Sequence, residues 1–426
     1  MRILSTKRST TEEILRKLRR AKRKRRDVET AVRAIIAGVR RGGDRALLEF
    51  ARRFDGVELN SLRVNRRELR EAYDRVDPRL LRALRNAKRN IERFHRHQVR
   101  RKESPVETQE GVKVWREFRP IERVGLYIPG GKAPYCSTVL MLAVPARIAG
   151  CKEVVVTTPA SVGGICHPAV LVAAGLCGIE KIYKVGGAHA IAAMAFGTET
   201  VPRVYKIFGP GNDYVTTAKR LVYGVVDIDM PAGPSEVMVI ADESADAHWI
   251  AADLLAQLEH GEDSQAVLVT PSMMLAETVA REMKKQMKTS PRKEIMEESL
   301  RRSYTVVVDS INEACGIANE YAPEHLEIVA RDEAAILNRI TNAGSVFLGK
   351  YTPEALGDYA TGANHTLPTA GFARMFSALS TESFGKMMQI QKVSKRGMEN
   401  LRETVETLAT SEGLEGHRKA VTIRFE

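Results

Sequence analysis

Val124-Gly125-Leu126-Tyr127-Ile128-Pro129-Gly130-Gly131 is a short apolar run that ends in a glycine turn, and it reads as a buried strand followed by a break. The same grammar recurs three times downstream. Glu153–Thr158 leads to Pro159-Ala160-Ser161, Ile182–Val185 to Gly186-Gly187, and Val204–Phe208 to Gly209-Pro210-Gly211-Asn212. Helices are expected between and after them, near 137–149, 168–177, 188–195 and 213–223. Apolar strands alternating with helices imply a parallel sheet covered on both faces, and such sheets bind ligands at the carboxyl ends of their strands. The glycine turns lie on that edge.

Beyond Asp229-Met230-Pro231-Ala232-Gly233-Pro234-Ser235-Glu236 the pattern resumes. Strands are expected at Val237–Ala241, Ala266–Thr270, Tyr304–Val308, Leu326–Val329 and Ser345–Leu348, with helices near 245–259, 274–288, 310–320 and 332–341. The fold class is therefore α/β: two parallel-sheet, Rossmann-like units with helices on both faces, plus small helical segments at the two ends. Upstream, helices are expected over 9–26, Val28–Val39, Asp44–Phe54, Arg66–Val76 and Pro78–His97. Downstream come a Gly/Pro/Thr-rich loop from Lys350 to Ala373, a helical region over about 383–410, and a closing strand at Val421–Phe425.

At 426 residues the chain exceeds one ordinary core and should divide into domains, and its apolar content of 44% is that of an ordinary globular protein. It contains no run of 18 apolar residues and no apolar stretch of signal-peptide type at its start, so neither membrane spanning nor export is expected. Five widely spaced cysteines without a C-x-x-C fit reduced thiols in a cytoplasm and exclude a cysteine-based zinc motif. The net charge of +13 is unevenly placed: residues 1–102 hold 33 Lys/Arg against 13 Asp/Glu, densest at Lys22-Arg23-Lys24-Arg25-Arg26, and the remainder is net acidic. A basic face with few aromatics and no recognition motif is ordinarily a solvated surface, so nucleic acid is not the expected partner.

Chemistry concentrates in the second half. In Asn319-Glu320-Tyr321-Ala322-Pro323-Glu324-His325-Leu326-Glu327 a helix ends, a proline forces extended backbone, and Glu324 and His325 leave as neighbours at the mouth of a strand. Two proton-moving groups on one short turn can serve two proton-transfer steps; by adjacency alone they are equally a surface Glu beside a half-buried His. Gln257-Leu258-Glu259-His260-Gly261, the loop from Gly357-Asp358 to Asn364-His365, and Glu412 to His417 pair imidazoles with carboxylate or amide oxygens, which suits zinc with an open position. Each is also readable as an ordinary polar loop. A G-x-G-x-x-G fingerprint is absent, yet the three glycine turns present backbone N–H groups beside helix N-termini, which suits a phosphate or pyrophosphate.

In combination and order, these peptides resemble the histidinol dehydrogenase family over about residues 25–425. The resemblance implies NAD-dependent oxidation of L-histidinol to L-histidine through the aldehyde, by two hydride transfers at one site holding one zinc. It carries the zinc ligands onto Gln257, His260, Asp358 and His417. Substrate contacts map onto Ser235, His325 and Glu412 together with those four, and the general acid/base pair maps onto Glu324 and His325. The NAD contacts map onto Tyr127, His189 and Asn212. His189 departs from the family, which usually has Gln there; an imidazole cannot donate and accept at once from one end as an amide does.

The resemblance further implies a homodimer with shared sites. Its division is an N-terminal arm (1–21), a first α/β domain (22–126 with 237–378) carrying the catalytic turn, a second α/β domain on the NAD side (127–236), and a C-terminal segment (379–426) reaching the partner. Two other classes compete: a zinc hydrolase using Glu324 to activate water, and a basic nucleic-acid-binding protein using residues 7–41.

Overall fold

The computed structural model describes residues 1–19, 25–98, 102–130, 133–161, 163–231 and 233–426. Lys22, Arg23 and Lys24 of the basic run, the tail of the helix expected over 9–26, Gly131 and Ala232 lie outside the described residues.

Two parallel sheets carry the fold. The larger has six strands in the order Arg2–Ser5, Tyr304–Val307, Gln265–Thr270, Glu236–Ala241, His325–Val329, Ser345–Leu348. Its three central strands are buried along almost their whole length because helices cover both faces. Ile14, Leu18, Ala314 and Ile317 pack on one side, and Ile250, Leu254, Leu258 and Val279 on the other. The register aligns Gln265 with Glu236, and His325 with both Val237 and Ser345. Four strands thus begin together, and their first residues form one amino-terminal edge.

The smaller sheet has the order Ile182–Tyr183, Glu153–Thr157, Arg123–Tyr127, Lys206–Phe208, Asp227–Ile228, again all parallel. The stretch that opened the sequence reading is its central strand. Helix Arg25–Phe50, broken at Gly43 (φ 51°, ψ −134°) where the sequence marks a turn, places Val32, Ile35, Val39 and Leu47 in one cluster with Ala190, Ile191 and Met194. Helix Pro78–Arg96 sets Leu84 and Ile91 against Leu140 and Leu171. The grouping of residues 22–126 with 237–378 does not describe these contacts: the N-terminal helices and strand Arg123–Tyr127 belong to the smaller sheet, because their apolar stripes meet its helices. The first residues, conversely, add an edge strand to the larger sheet.

Four local expectations are corrected. Arg2–Ser5 is a strand, formed by pairing with Tyr304–Val307 rather than by any pattern in four half-exposed residues. Val106–Gln109 and Val112–Pro120 join Gly385–Val393 in a three-stranded antiparallel sheet, where no strand was expected. Gly385–Val393 falls within the region expected to be helical; nine register pairs with Val112–Pro120 hold it extended, and the helix starts only at Lys395. The closing strand over Val421–Phe425 is instead the end of helix Glu415–Thr422 and a 3-10 turn, docked by Thr422 Oγ1 donating to Glu406 Oε1 (2.8 Å). Among the described residues, no helix is long and apolar enough to cross a membrane.

Candidate active site

Two edges carry the candidate residues. At the carboxyl edge of the smaller sheet, Gly209 adopts φ +125°, and a Cβ there would collide with the carbonyl oxygen of Tyr127, so the turn requires glycine. A buried ion pair braces it. Lys219 Nζ pairs with Asp229 Oδ1 and donates to Gly209 O (3.0 Å), while Asp229 Oδ2 accepts the Gly209 N–H (2.8 Å). Asn212 then caps helix Asp213–Val222, its Oδ1 accepting the N–H groups of Tyr214 and Val215 (3.1 Å each). Its oxygen being used, the amide nitrogen is the group available to a ligand.

Across the same edge, the Tyr127 hydroxyl accepts the Gly187 N–H (3.1 Å), and burial pushes its pKa up to about 12, which keeps it a neutral hydroxyl. His189 is 1% exposed, and neither ring nitrogen has a hydrogen-bond partner among the described residues. Its Nε2 lies 3.9 Å from Asp55 Oδ2, and Phe50 and Phe54 flank the ring. Burial pushes the His189 pKa down to about 4 and that of Asp55 up to about 6, so the imidazole is neutral at pH 7. A buried ring with two unanswered nitrogens is costly unless something answers them.

The amino edge of the larger sheet is charged. Helix Ala247–Leu258 leaves the far end of strand Glu236–Ala241 and returns along the sheet, bringing buried Gln257 and exposed His260 to this edge. Helix Glu354–Tyr359 brings Glu354 and Asp358, four apart and so on one face. One ligand atom from each of His260, Glu354 and Asp358 lies within 4.8 Å of the others. Oriented with its nitrogen toward Glu354, the assignment that its surroundings favour, the Gln257 amide donates to both carboxylate oxygens (2.8 and 2.9 Å) and offers its own oxygen to a cation.

Glu324 and His325 are both buried here. Glu324 Oε2 accepts the Glu236 N–H (2.9 Å), and His325 Nδ1 lies 3.1 Å from the Glu236 carbonyl. That contact requires the proton on Nδ1, because a carbonyl only accepts. Nε2 makes no hydrogen bond among the described residues and lies 3.7 Å from Asp358 Oδ1. Burial disfavours the charged ring, but Glu354 (3.8 Å from Nδ1), Glu324 (3.7 Å) and Asp358 outweigh it, and the pKa of His325 rises well above its ordinary value. Burial drives Glu324 up to about 8 and Glu354 up to about 7. Asp358 is held low despite burial, by His325 and the neighbouring histidines. Ser235 stands at the head of the same strand edge, its carbonyl accepting the Gln265 N–H (3.2 Å).

A sequence profile described as histidinol dehydrogenase matches residues 18–425. The chain belongs to the histidinol dehydrogenase family. It is 50% identical over 402 residues to the histidinol dehydrogenase of Mannheimia succiniciproducens, covering 94% of this chain and 93% of that protein. To that of Bacteroides fragilis it is 52% identical over 396 residues, covering 93% and 92%. The crystal structure of histidinol dehydrogenase from Elizabethkingia anophelis superposes with a TM-score of 0.96 at 44% identity, covering 100% of this chain and 98% of that one. The family is one of NAD-dependent oxidoreductases, so the chain is an enzyme.

Within this chain, Gln257, His260, Glu324, His325 and Asp358 come together at one edge, and Tyr127, His189 and Asn212 lie at another. Glu412 and His417 do not join either: both are exposed on the hairpin made by helices Lys395–Ser411 and Glu415–Thr422. Three residues were missed. Glu354 sits among the ligand candidates, and the signal was present in Thr352-Pro353-Glu354, a helix start four residues before Asp358. Glu327, buried, accepts the Glu354 N–H on Oε1 (2.7 Å) and so caps the helix carrying both acids. His365 bridges the two units, its Nδ1 at 3.0 Å from Asp358 O and its Nε2 at 3.2 Å from Thr138 Oγ1; the sequence marked it only as part of a motif.

Proposed function

We propose that this chain oxidises L-histidinol to L-histidine through histidinaldehyde, in two NAD-dependent steps at the amino edge of the larger sheet, as the last steps of histidine biosynthesis. The observation that carries this reading is the group His260, Glu354 and Asp358 beside the unpartnered Nε2 of His325. One imidazole nitrogen, carboxylate oxygen and an amide oxygen form a donor set suited to zinc. Gln257, His260 and Asp358 would hold the ion together with His417 of the partner subunit. When bound, zinc supplies a point to which the imidazole and amine of histidinol chelate, and NAD supplies the hydride acceptor in both oxidations. Tyr127, Asn212 and His189 fit the dinucleotide: a neutral hydroxyl, an amide nitrogen and an imidazole without a hydrogen-bond partner among the described residues, beside glycine turns at helix N-termini.

His325, acting from its neutral form, which the surrounding carboxylates make the scarcer one, takes the alcohol proton on Nε2 as hydride leaves the carbinol carbon, and the same carboxylates stabilise the imidazolium that results. Glu324, as carboxylate, then takes a proton from the water that adds to the aldehyde carbon, and loss of a second hydride leaves the carboxylic acid product. Each proton transfer is typically worth about 10²–10⁴ in rate. Ser235 and Glu412 of the partner subunit complete the substrate contacts.

Shared sites in a homodimer account for the exposed C-terminal hairpin, which carries Leu408, Leu414 and Ile423 at 57%, 42% and 52% exposure. The test is to follow NAD reduction with L-histidinol before and after complete zinc removal: reduction that stops on removal and returns with zinc is expected, and no reduction, or indifference to removal, overturns the site. Chains carrying His417→Ala mixed with chains carrying Glu324→Gln should regain activity in verified heterodimers.

A further inference from the structure

We infer that Glu236 is the positioning residue of the Glu324–His325 pair: its main chain grips both side chains, and its carboxylate fixes that main chain between two strained turns. The inference rests on the reading of Glu324 and His325 as the proton-transfer pair. Glu236 is 1% exposed and heads the central strand of the larger sheet. Its N–H binds Glu324 Oε2 (2.9 Å) and its carbonyl meets His325 Nδ1 (3.1 Å), so one peptide segment sets both the direction of the carboxylate and the tautomer of the ring.

The side chain of Glu236 reaches two further segments. Oε1 accepts the N–H of Ala370 (3.1 Å). Oε2 lies 3.3 Å from the Tyr321 hydroxyl, whose proton is shared with Gln265 Oε1 at 2.7 Å. Ala370 has φ +57°, and Ala322, the residue after Tyr321, has φ +50°; among the described residues these are the two non-glycine residues in the left-handed region. Such conformations are strained and persist where the surroundings over-determine them. Both meet at one carboxylate. The catalytic turn is held from the opposite side as well, by Gly344 and Ser345 N–H groups on the carbonyls of Pro323 and Glu324 (2.9 Å each). A Cβ on Gly344 would lie 2.6 Å from Glu324 O, leaving the turn no slack.

A carboxylate that ties strand, catalytic turn and the loop at Ala370 acts through geometry, and loosening a site by about 1 Å costs up to about a hundredfold in rate. The test uses the full-length, zinc-loaded enzyme. In Glu236→Ala, kcat for histidinol oxidation should fall about 10–100-fold while the histidinol KM stays within about threefold and zinc content and Tm stay near native. Glu236→Gln, whose amide oxygen can still accept the Ala370 N–H, should recover most of the rate. Tyr321→Phe should lower kcat about threefold with KM unchanged, and it decides the question if Glu236→Ala does not fold. Native kcat in the folded Ala variant, or in Tyr321→Phe when the Ala variant is not folded, overturns the inference, as does a loss shared equally by KM, zinc and stability. If the native enzyme does not oxidise histidinol, or Glu324→Gln is as fast as native, the reading of the site fails instead.

Discussion

The carboxyl edge of the smaller sheet and the amino edge of the larger one are built from the same strand-turn-helix grammar and end as opposite chemistries. At the first, the working groups are a hydroxyl, an amide and a neutral imidazole, while the Gly187 and Gly209 N–H groups are taken by Tyr127 and Asp229 and the buried Lys219–Asp229 pair is spent inside the turn. At the second, three buried carboxylates and an imidazole crowd one another, and their protonation is set by burial and mutual repulsion. A glycine turn at a helix N-terminus suits an anionic dinucleotide; a cluster of acids around imidazoles suits a cation and proton transfer. On the proposed reading, the general rule that open parallel sheets bind ligands at their carboxyl ends covers half of this enzyme. The proposed reacting groups lie at the other kind of edge because helix Ala247–Leu258 and strand His325–Val329 both deliver their polar residues there.

The largest break in the comparison should come from Glu324→Gln. It removes the water-activating base and leaves the carboxyl edge untouched, so aldehyde oxidation should slow by about 10²–10⁴, with alcohol oxidation and NAD affinity much less affected. Separate single-turnover measurements starting from histidinol and from histidinaldehyde check this; equal slowing of both would mean that Glu324 serves both steps. Glu354→Ala comes next. It frees the Gln257 amide to turn, and zinc affinity should drop about 10–100-fold, read by competition with a chromogenic chelator. Unchanged affinity would make Glu354 an electrostatic neighbour rather than an orienting one.

The pH dependence separates the edges without mutation. Glu324 acts as carboxylate, and burial raises its pKa to about 8, so the aldehyde step is fast above that pH and is lost as pH falls through it, by about tenfold per unit further down. NAD binding should be flat above about pH 7, since His189 stays neutral from about 4 upward and its neighbour Asp55 ionises near 6. An aldehyde step that is flat from pH 6 to 9 would contradict the raised basicity of Glu324.

The contrast also explains what the sequence disclosed. The apolar runs around Leu126, Val239 and Val267 announce themselves because strands buried on both faces are continuous in hydrophobicity, and the glycines at 186, 187 and 209 mark turns that only glycine can make. The strands Arg2–Ser5, Val106–Gln109 and Gly385–Val393 were silent, because their side chains are largely exposed and their stability comes from main-chain pairing with distant segments. At the site, adjacency revealed Glu324 and His325, whereas Glu236 stayed hidden: its role comes from contacts 85 and more positions away, through Tyr321, Glu324 and Ala370. No local pattern encodes such a convergence.

His189→Gln should have the smallest effect and asks whether the carboxyl edge is complete as it stands. The buried imidazole offers one donor and one acceptor on opposite sides of a ring, while a glutamine amide presents both from one end. Neither ring nitrogen has a hydrogen-bond partner among the described residues, and one additional hydrogen bond to a bound cofactor would be worth about 1 kcal/mol. The KM for NAD should therefore fall about three- to tenfold in His189→Gln, with kcat, zinc content and histidinol KM unchanged. Equilibrium titration of NAD against the substrate-free enzyme gives the same quantity free of turnover. A weaker-binding glutamine variant would mean instead that Phe50, Phe54 and Asp55 have been fitted around the imidazole, and that this chain recognises the cofactor in its own way at this position.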